Sequence, residues 1–475
     1  MNKVAVIVSL ALPLSGCAVG PDYHAPAPAA LAVPTNYAPS VTHSAPSGDA
    51  VAVADLATWW LQFDDPLLTD LIARATASNL QIAQSVARLA QAREALVQAR
   101  GALLPTLMGS AGSTRNFTAG DYVSGSTRLS LSADASWQAD IFGGLGRGVE
   151  AARADEATAR FDLEGVRTSI AGEVATNYID VRLAQARLDI ARSTLRTQED
   201  NFEIAGWRVQ AGLVSSLDAE QARAQRAQTA ASIPALETAY LQAVNRLGVL
   251  IGRAPGALRG ELGEALPIPH GPDGLTIGIP ADTLRRRPDV RSAERQLAAA
   301  TARIGVAKAA LFPALSIGGN IDTAAARIGK LGDLLTGSLF ANITQTIFDA
   351  GRRNAQVRSA RAGADLAFAS YRQTVLNGLE DVENAIQALE AAKARQAELA
   401  GALDASNNAA IYARSQYRSG LIDFLTLLQS EQSLLSARDQ LASARADQAL
   451  ALVRLYLALG GGWQPEATNP TGNAE

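Results

Sequence analysis

Histidine and cysteine are almost absent from this sequence of 475 residues, which contains three His and one Cys. The histidines, His24, His43 and His270, all lie in Pro-rich segments and not in a predicted helix or strand. This stock cannot supply a Cys/His metal cluster, and no histidine is held where a Ser-His-Asp triad would need it. We therefore expect no metal site and no such catalytic chemistry.

Charge of one sign and long apolar runs are also scarce. The formal net charge is −4, and Lys and Arg alternate with acids along the chain instead of forming basic blocks. This pattern argues against nucleic acid as a partner. No apolar run reaches the ~18 residues that indicate a membrane-spanning helix.

Proline is missing from two long stretches, residues 106–233 and 314–464, which are rich in Ala, Arg, Gln, Glu and Leu. Because proline costs a helix interior about 3 kcal/mol, such stretches predict long helices. The helix predicted over residues 144–212 has about 68 residues and would span roughly 100 Å at 1.5 Å per residue. That length exceeds a single globular domain and suits a coiled-coil-like tube.

The two halves of the chain repeat each other. "LLPTL" around Pro105 matches "LFPAL" around Pro313, which gives a period of 313 − 105 = 208 residues. "ADIFGGLGR" matches "TIFDAGRR" at a period of 206, so we predict a small length change in one loop. A period this long indicates duplicated half-molecules and not a solenoid of short repeats.

The N-terminus has the pattern of a secretory signal, with a positive start and a short apolar run over residues 1–16. It ends in "LSGC", which resembles the bacterial lipobox, with cleavage between Gly16 and Cys17 and lipidation of the Cys17 thiol. The alternative is a small-residue cleavage site with an incidental cysteine. Ala18 then resembles the outer-membrane sorting pattern. The Pro- and Ala-rich segment that follows predicts an extended linker.

Each half predicts a helix, a strand pair, a long helix, a turn and a further helix. Asp65 is the predicted N-cap and Pro66 the first residue of a helix that Pro105 ends. Alternation then predicts strands. In the first half the apolar positions are Leu129, Leu131, Ala133, Ala135, Trp137, Ala139 and Ile141, and the polar ones between them include Arg128, Asp134 and Gln138. In the second half the apolar positions are Leu315, Ile317, Ile321, Leu339, Ala341, Ile343 and Ile347.

Long two-faced strands fit a transmembrane barrel with lipid outside and water inside, although a half-buried soluble sheet shows the same alternation. The lipobox favours the membrane, as do Trp137 and Phe142 near one strand end, where an aromatic girdle would lie. Four strands cannot close a barrel, because bacterial barrels start at eight. Three copies would supply twelve.

One motif points elsewhere. "GRGVEA" at residues 146–151 fits the G-x-G-x-x-A of a dinucleotide site between a strand and a helix. No ribose-binding acid on a second strand follows about twenty residues later, and the other half reads "GRRNAQ" at the matching place. The glycines are better explained as a strand-to-helix bend, so we expect no cofactor.

Taken together, the sequence resembles the outer-membrane factor family of tripartite efflux systems, of the TolC/NodT-like lipoprotein type. The phrases that carry the resemblance are "CAVGPDY", "WWLQFDDPLLTDLI", "GIPADTLRRRPDVRSAERQLAAA" and "LYLALGGGW". It implies a mainly α-helical homotrimer, with a 12-stranded membrane β-barrel continuous with a 12-helix periplasmic tube. The expected segments are a signal peptide (1–16), a lipid anchor and linker (17–58), a first repeat (59–254), an inter-repeat equatorial segment (255–279), a second repeat (280–463) and a C-terminal tail (464–475).

The resemblance also implies a function. The protein would be a passive outer-membrane exit duct for drugs or other small molecules, and it would lie in outer-membrane lipid and extend into the periplasm. Its partners would be a periplasmic adaptor and an inner-membrane pump of the resistance-nodulation-division type. Two other functions were considered: a periplasmic adaptor lipoprotein, which would lack the duplicated strand pairs, and an enzyme, for which the catalytic residues are missing.

Two sites follow from the resemblance. The helical turns at Gly212-Leu213 and Gly420-Leu421 would contact the adaptor, although each glycine also suits a helix end. A family constriction just past the second turn falls on Leu425 and Gln429, four residues apart on one helix face, with Thr426 beside them. Gln429 stands where the family has a carboxylate, so the pore charge is expected from Asp218 or Glu220 instead, unless Asp218 merely caps its helix.

Overall fold

The computed structural model describes residues 18–34, 56–118, 124–272 and 280–464. The first half contains α1 (Pro66–Ser78), α2 (Leu80–Gly101), β1 (Thr106–Thr118), β2 (Ser124–Ala139), α3 (Gly144–Gln210) and α4 (Ser216–Leu250). The second half contains α5 (Pro280–Arg286), α6 (Pro288–Ala309), β3 (Ala314–Ala325), β4 (Leu335–Thr344), α7 (Arg352–Arg418) and α8 (Phe424–Ala458). The predicted signal peptide, Gly16, Cys17, part of the linker and nearly all of the C-terminal tail lie outside the described residues.

Three helices of each half have equal lengths, whereas α1 has 13 residues and α5 has 7. α2 and α6 have 22 residues each, α3 and α7 have 67 each, and α4 and α8 have 35 each. Their starting residues are also separated by the 208-residue period, as at Gly144 and Arg352. The predicted duplication is confirmed. The 206-residue match lies between Pro105/Pro313 and Gly144/Arg352, which both keep the 208-residue period, so it marks two compensating length shifts, both outside the long helices.

The helix predicted from Asp65 to Pro105 is in fact two helices. Asp65 is the N-cap of α1, as predicted, and its carboxylate accepts hydrogen bonds from the amides of Leu67 and Leu68. The chain then breaks at Asn79, whose side-chain oxygen accepts from the Gln81 amide at 2.8 Å and starts α2. The Asn79 amide nitrogen donates to the Leu250 carbonyl, so a contact distant in sequence fixes the break.

The chain is organised in two compact units, of which one contains the sheet. This unit comprises Ala87–Phe161, Ser292–Gln373 and the chain up to Ala27. Its four strands are antiparallel in the order β1-β2-β3-β4, so β1 and β4 form the two edges. The predicted strand pairs are confirmed, and the two pairs join along β2 and β3. The prediction was wrong at Ile141 and Ile347, because β2 ends at Ala139 and β4 ends at Thr344.

The pairing register gives the sheet one polar and one apolar face. Directly paired residues lie on the same face. One face carries Ser110, Ser132, Asp134, Asn320, Asp322, Ser338 and Thr336, and hydrogen bonds join these side chains both along single strands and between neighbouring strands. The other carries Leu107, Leu131, Trp137, Ile317, Ile321, Leu339 and Ile343, which are 37 to 92% exposed. Met108 and Phe340 depart from the pattern because they lie on the polar face.

The second unit comprises Pro28–Val86, Asp162–Arg291 and the chain from Thr374 onward. Trp59 stacks on Tyr456 with ring centroids 5.6 Å apart, and both side chains are fully buried. The buried Arg182 donates to the Tyr178 hydroxyl at 2.9 Å and to the Glu264 carbonyl at 2.8 Å. Tyr178 in turn donates to Asp65. The chain at Glu264 is thereby held on α3 by polar contacts.

The long helices are amphipathic only in parts, and α4 continues through a proline. Pro234 lies inside α4, two residues after Ser232, whose hydroxyl donates to the Thr229 carbonyl at 2.7 Å. The end of the proline-free stretch therefore does not mark a helix end. Within the part of the chain described above, no helix is both long and apolar enough to cross a membrane.

Candidate functional site

The two helical turns of the second unit have the same geometry. Gly212 and Gly420 have positive φ angles of 72° and 70°, which favour glycine because it has no Cβ. The amide after each glycine donates to a carbonyl five residues earlier, Leu213 to Arg208 and Leu421 to Gln416, both at 2.9 Å. This is the Schellman pattern of a helix end. Each turn therefore ends one helix and carries an exposed leucine, with Leu213 73% and Leu421 75% exposed.

The helices after the turns begin at different caps. Ser215 caps α4 by accepting from the Leu217 amide, and Asp423 caps α8 by accepting from the Thr426 amide at 2.9 Å. Hydrogen bonds from Thr426 also lower the pKa of Asp423. Asp218 lies in the first turn of α4 and is not its N-cap, so the capping alternative for Asp218 is wrong.

An apolar cluster packs beneath both turns. It is formed by one or more side chains from each of α3, α4, α7 and α8, namely Ala205, Ala222, Ala413, Tyr417, Phe424 and Leu427. The rings of Tyr417 and Phe424 lie 5.5 Å apart, and the Arg208 guanidinium lies 4.4 Å from the centre of the Tyr417 ring. The fold therefore places both predicted turns above one apolar cluster, although the turns are more than 200 residues apart in the sequence.

The residues predicted to form the constriction lie on the exposed side of α8. Leu425 is 47% exposed, and Thr426 and Gln429 are exposed as well, whereas Leu427 between them is buried. The Glu220 carboxylate forms an ion pair with Arg223 at 2.6 Å. Its charge is therefore offset locally, which makes Asp218 the stronger of the two candidates for pore charge.

Sequence analysis missed a buried carboxylate close to the turns. Glu431 of α8 is 6% exposed and accepts from Arg414 of α7 at 3.0 Å and from Asn201 of α3 at 2.6 Å. A buried charge is tolerated only when it is paired and hydrogen-bonded, and this one links three helices. Its position among Leu427, Leu434 and other apolar residues of the α8 core face was the available signal.

The chain that follows Cys17 is fixed to the sheet-containing unit. The Val19 amide donates to the Phe142 carbonyl at 3.2 Å, and Asp22 pairs with Arg147 at 2.6 Å. The guanidinium hydrogen bond lowers the pKa of Asp22. Tyr23 donates to Glu294 at 2.8 Å, and burial together with that carboxylate raises the pKa of Tyr23. We call residues 18–23 the anchor segment.

The anchor segment fits closely because glycines line its path. A Cβ on Gly20 would lie 2.6 Å from the Gly305 Cα, and one on Gly143 would lie 2.9 Å from the Ala18 Cα. Next to Gly143, the Phe142 ring stacks on Phe312 at 4.7 Å. The residue that follows Cys17 therefore lies at the junction of strands and helices.

The dinucleotide motif is explained by the strand-to-helix turn. The Asp140 carboxylate accepts from the Leu145 amide at 3.0 Å and from the Gly146 amide at 2.7 Å. In the other half, Asp349 accepts from the amides of Gly351 and Arg353. These amides are the groups that would bind a pyrophosphate at a helix N-terminus. A carboxylate of the chain itself occupies them at both turns.

Comparison with known proteins identifies the family to which this architecture belongs. The outer membrane efflux protein family matches residues 71–253 and 279–461. The chain belongs to this family. Nodulation protein T of Rhizobium leguminosarum bv. trifolii is 31% identical over 464 residues, which is 96% of each chain. The cation efflux system protein CusC of Escherichia coli is 30% identical over 467 residues, 96% of this chain and 98% of CusC.

Solved structures of efflux channels have the same fold. The outer-membrane channel OprN superposes with a TM-score of 0.86 at 35% identity and covers 94% of this chain and 100% of its own. The open state of the Neisseria gonorrhoeae MtrE outer-membrane channel gives a TM-score of 0.84 at 26% identity, with coverage of 94% and 99%. The protein is an outer-membrane efflux channel that extends into the periplasm. The adaptor interpretation finds no support, and the family members are channels.

The two sheet faces generate a prediction for this efflux channel. We expect cysteines placed singly at residues 128–138 of β2 to react with a water-soluble thiol reagent at alternate positions. The polar-face residues Arg128, Asp134 and Gln138 should react, and the apolar-face residues Leu129, Leu131 and Ala133 should not. Arginine at Leu131 should cost about 2 to 4 kcal/mol at mid-membrane, whereas arginine at Ser132 should be tolerated. Reaction without a period of two would exclude a membrane strand.

Proposed function

We propose that three copies of this chain assemble into the exit channel of a tripartite efflux system. The observation that carries the proposal is the four-stranded sheet, which has one apolar face, one polar face and two edges, β1 and β4. In lipid an open sheet edge is too costly to persist, because its backbone groups find no partner. Twelve strands from three chains close the edges and leave the polar faces around a water-filled lumen.

The channel is passive, and its cargo is delivered by partners. An inner-membrane pump of the resistance-nodulation-division type supplies the energy, and a periplasmic adaptor joins the pump to the channel. The cargo consists of drugs or other small molecules, and the relative named for cation efflux supports small solutes. The proposed segments are the signal peptide, anchor and linker, two repeats, equatorial segment and tail, with the boundaries given above.

Cys17 is the lipidation site, with cleavage after Gly16. The contacts of the anchor segment support this proposal, because they hold Ala18 against Gly143, the residue after Phe142, whose ring stacks on Phe312 near the strand ends, where an acyl chain can enter lipid. Several acyl chains anchor a protein firmly, whereas one does so only marginally. The assembled barrel would still hold itself in the bilayer.

We therefore expect Cys17→Ser, made with a cleavable signal peptide, to lose metabolic acyl label and to keep part of the export activity. The measurement is incorporation of labelled palmitate, compared with export in the same cells. Ser215→Cys in that background is the matched control for nonspecific thiol acylation, because it restores a thiol at a position distant from the lipobox in the sequence. Acyl label that persists on the Cys17→Ser protein would exclude the lipobox interpretation.

The turn residues Gly212, Leu213, Gly420 and Leu421 form the adaptor contact. The glycines set the backbone geometry, and the leucines supply the apolar anchors. Full burial of a leucine side chain at an interface contributes about 1.5 to 3 kcal/mol. Their high exposure and the identical backbone bonds at both turns support two equivalent adaptor sites in each chain.

Replacing Leu213 and Leu421 by Asp should abolish crosslinking to the adaptor and leave the trimers intact, because neither side chain belongs to the cluster beneath the turns. Crosslinking in cells and native electrophoresis measure the two properties. Leu427→Asp is the matched control, because its side chain is 2% exposed and its loss should disrupt assembly. Dissociation of the Leu213→Asp/Leu421→Asp trimers would show that these leucines are core residues.

The periplasmic constriction is formed by Leu425, with Thr426 and Gln429 beside it. Gln429 is uncharged, so three copies give a ring that closes by packing and hydrogen bonds. Cation preference then depends on the first turn, and more on Asp218 than on Glu220, because Arg223 offsets the Glu220 charge. A ring of carboxylates selects for cations.

Single-channel recordings in planar bilayers test this arrangement. We expect Leu425→Ala to raise conductance and Gln429→Asp to raise cation preference. Asp218→Asn should lower cation preference more than Glu220→Gln does, and the second variant serves as the matched control. Unchanged conductance and selectivity in the Leu425 and Gln429 variants would place the constriction elsewhere.

A further inference from the structure

We infer that Leu217 and Gln221 of α4 form the narrowest level of the channel jointly with Leu425 and Gln429 of α8. In three chains this gives a ring of six leucines and, one helical turn further along, a ring of six glutamines. The inference rests on the proposed position of Leu425 at the constriction. It goes beyond that proposal because it assigns half of each ring to the first repeat.

The register of the duplication pairs these residues. α4 begins at Ser216 and α8 at Phe424, so the 208-residue period places Leu217 opposite Leu425 in the duplicated structure. The same period places Gln221 opposite Gln429. The preceding turns have matching φ angles and backbone hydrogen bonds. Each pair therefore occupies the same position relative to its own turn.

Leu217 lies on the side of α4 away from the apolar cluster, and Leu425 lies on the exposed side of α8, next to Phe424 of the cluster. Successive residues of an α-helix are rotated by about 100°, so residues two apart point in nearly opposite directions. Ala219 packs on the cluster, two residues after Leu217 and two before Gln221. Leu427, which belongs to the cluster, has the same relation to Leu425 and Gln429. Accordingly Leu217 is 62% exposed and Leu425 is 47% exposed.

A hydrogen bond joins the two helices next to these faces. Gln225 of α4 donates from its side-chain nitrogen to the side-chain oxygen of Gln432 of α8. Gln225 is four residues after Gln221, and Gln432 is three residues after Gln429, so each continues the face of its own helix. A surface that lines the pore on α8 therefore continues onto α4.

The chemistry of the two rings indicates which solutes can pass through the narrowest level of the channel. Six leucines form an apolar constriction, and apolar constrictions exclude hydrated ions by dewetting. The glutamine ring lies about 6 Å further along the helices, at 1.5 Å per residue, and offers hydrogen bonds without charge. Amphipathic solutes of either charge can bury their apolar part at the first ring and their polar part at the second. The entrance therefore favours such solutes over small ions.

The test uses Leu217→Cys, Leu425→Cys, Leu213→Cys and Ala222→Cys in the otherwise complete chain. Each protein is placed in a planar bilayer, and 2-sulfonatoethyl methanethiosulfonate is added to the periplasmic side. We expect loss of current for both Leu217→Cys and Leu425→Cys. Leu213→Cys should be modified without loss of current, because its side chain lies at the turn. Ala222→Cys, at a position that is 3% exposed, should stay unmodified, and the unaltered protein gives the baseline.

Loss of current with Leu425→Cys but not with Leu217→Cys would overturn the shared ring and leave the constriction at Leu425 standing. Modification of both cysteines, verified by mass, without loss of current would overturn both proposals. If a cysteine variant does not assemble, Leu217→Ala, Leu425→Ala and the double variant provide the second measurement. The two single variants should raise conductance by similar factors and the double variant by more, and unchanged conductance in Leu217→Ala would overturn the inference.

Discussion

The backbone edges of one small sheet constrain the whole molecule. The strands are paired in the order β1-β2-β3-β4, so β1 and β4 each have a partner on one side only within the described chain. In water such edges can be solvated, but in lipid they need partners, because an unsatisfied backbone group there costs several kcal/mol. The sheet therefore suits a membrane only as part of a closed ring of strands. The apolar face also suits the membrane, because water is a poor solvent for side chains such as Leu339, which is 92% exposed.

Duplication gives the long helices a symmetry that suits a closed ring of three chains. The long helices of the two halves have equal lengths, equal spacing and equivalent turns, so each chain contributes two nearly identical helix pairs. A threefold assembly can therefore present nearly sixfold symmetry to its partners. The halves nevertheless differ in their ionic contacts. Glu431 ties α8 to α3 and α7, whereas Arg223, its counterpart at the 208-residue period, pairs locally with Glu220. The equivalence is therefore one of backbone and apolar contacts, and each half has its own ionic contacts.

Much of this structure could be predicted from local sequence, because the deciding interactions are local. The Asp65 cap, the alternation in β2 and the glycine at each turn depend on residues a few positions apart. Features that depend on distant partners could not be predicted. The break at Asn79 depends on the Leu250 carbonyl, and the burial of Glu431 depends on helices contributed by both halves. The family resemblance correctly gave the function. Which of Asp218 and Glu220 is the stronger candidate for pore charge could be decided only from the structure, where Arg223 pairs with Glu220.

A lipid on Cys17, as proposed, would let the anchor segment set the height of the protein in the membrane before any barrel exists. Because Ala18 is held beside Gly143, a lipid on the neighbouring residue would keep the strand-to-helix junction of each separate chain close to the inner leaflet of the outer membrane. Chains tethered in this way meet in two dimensions and at a common level, which raises their effective concentration. The edges of their sheets would then approach one another at the same height in the membrane. The short contacts around Asp22 and Arg147 would thus contribute to the rate of trimer assembly more than to the final stability of the trimer.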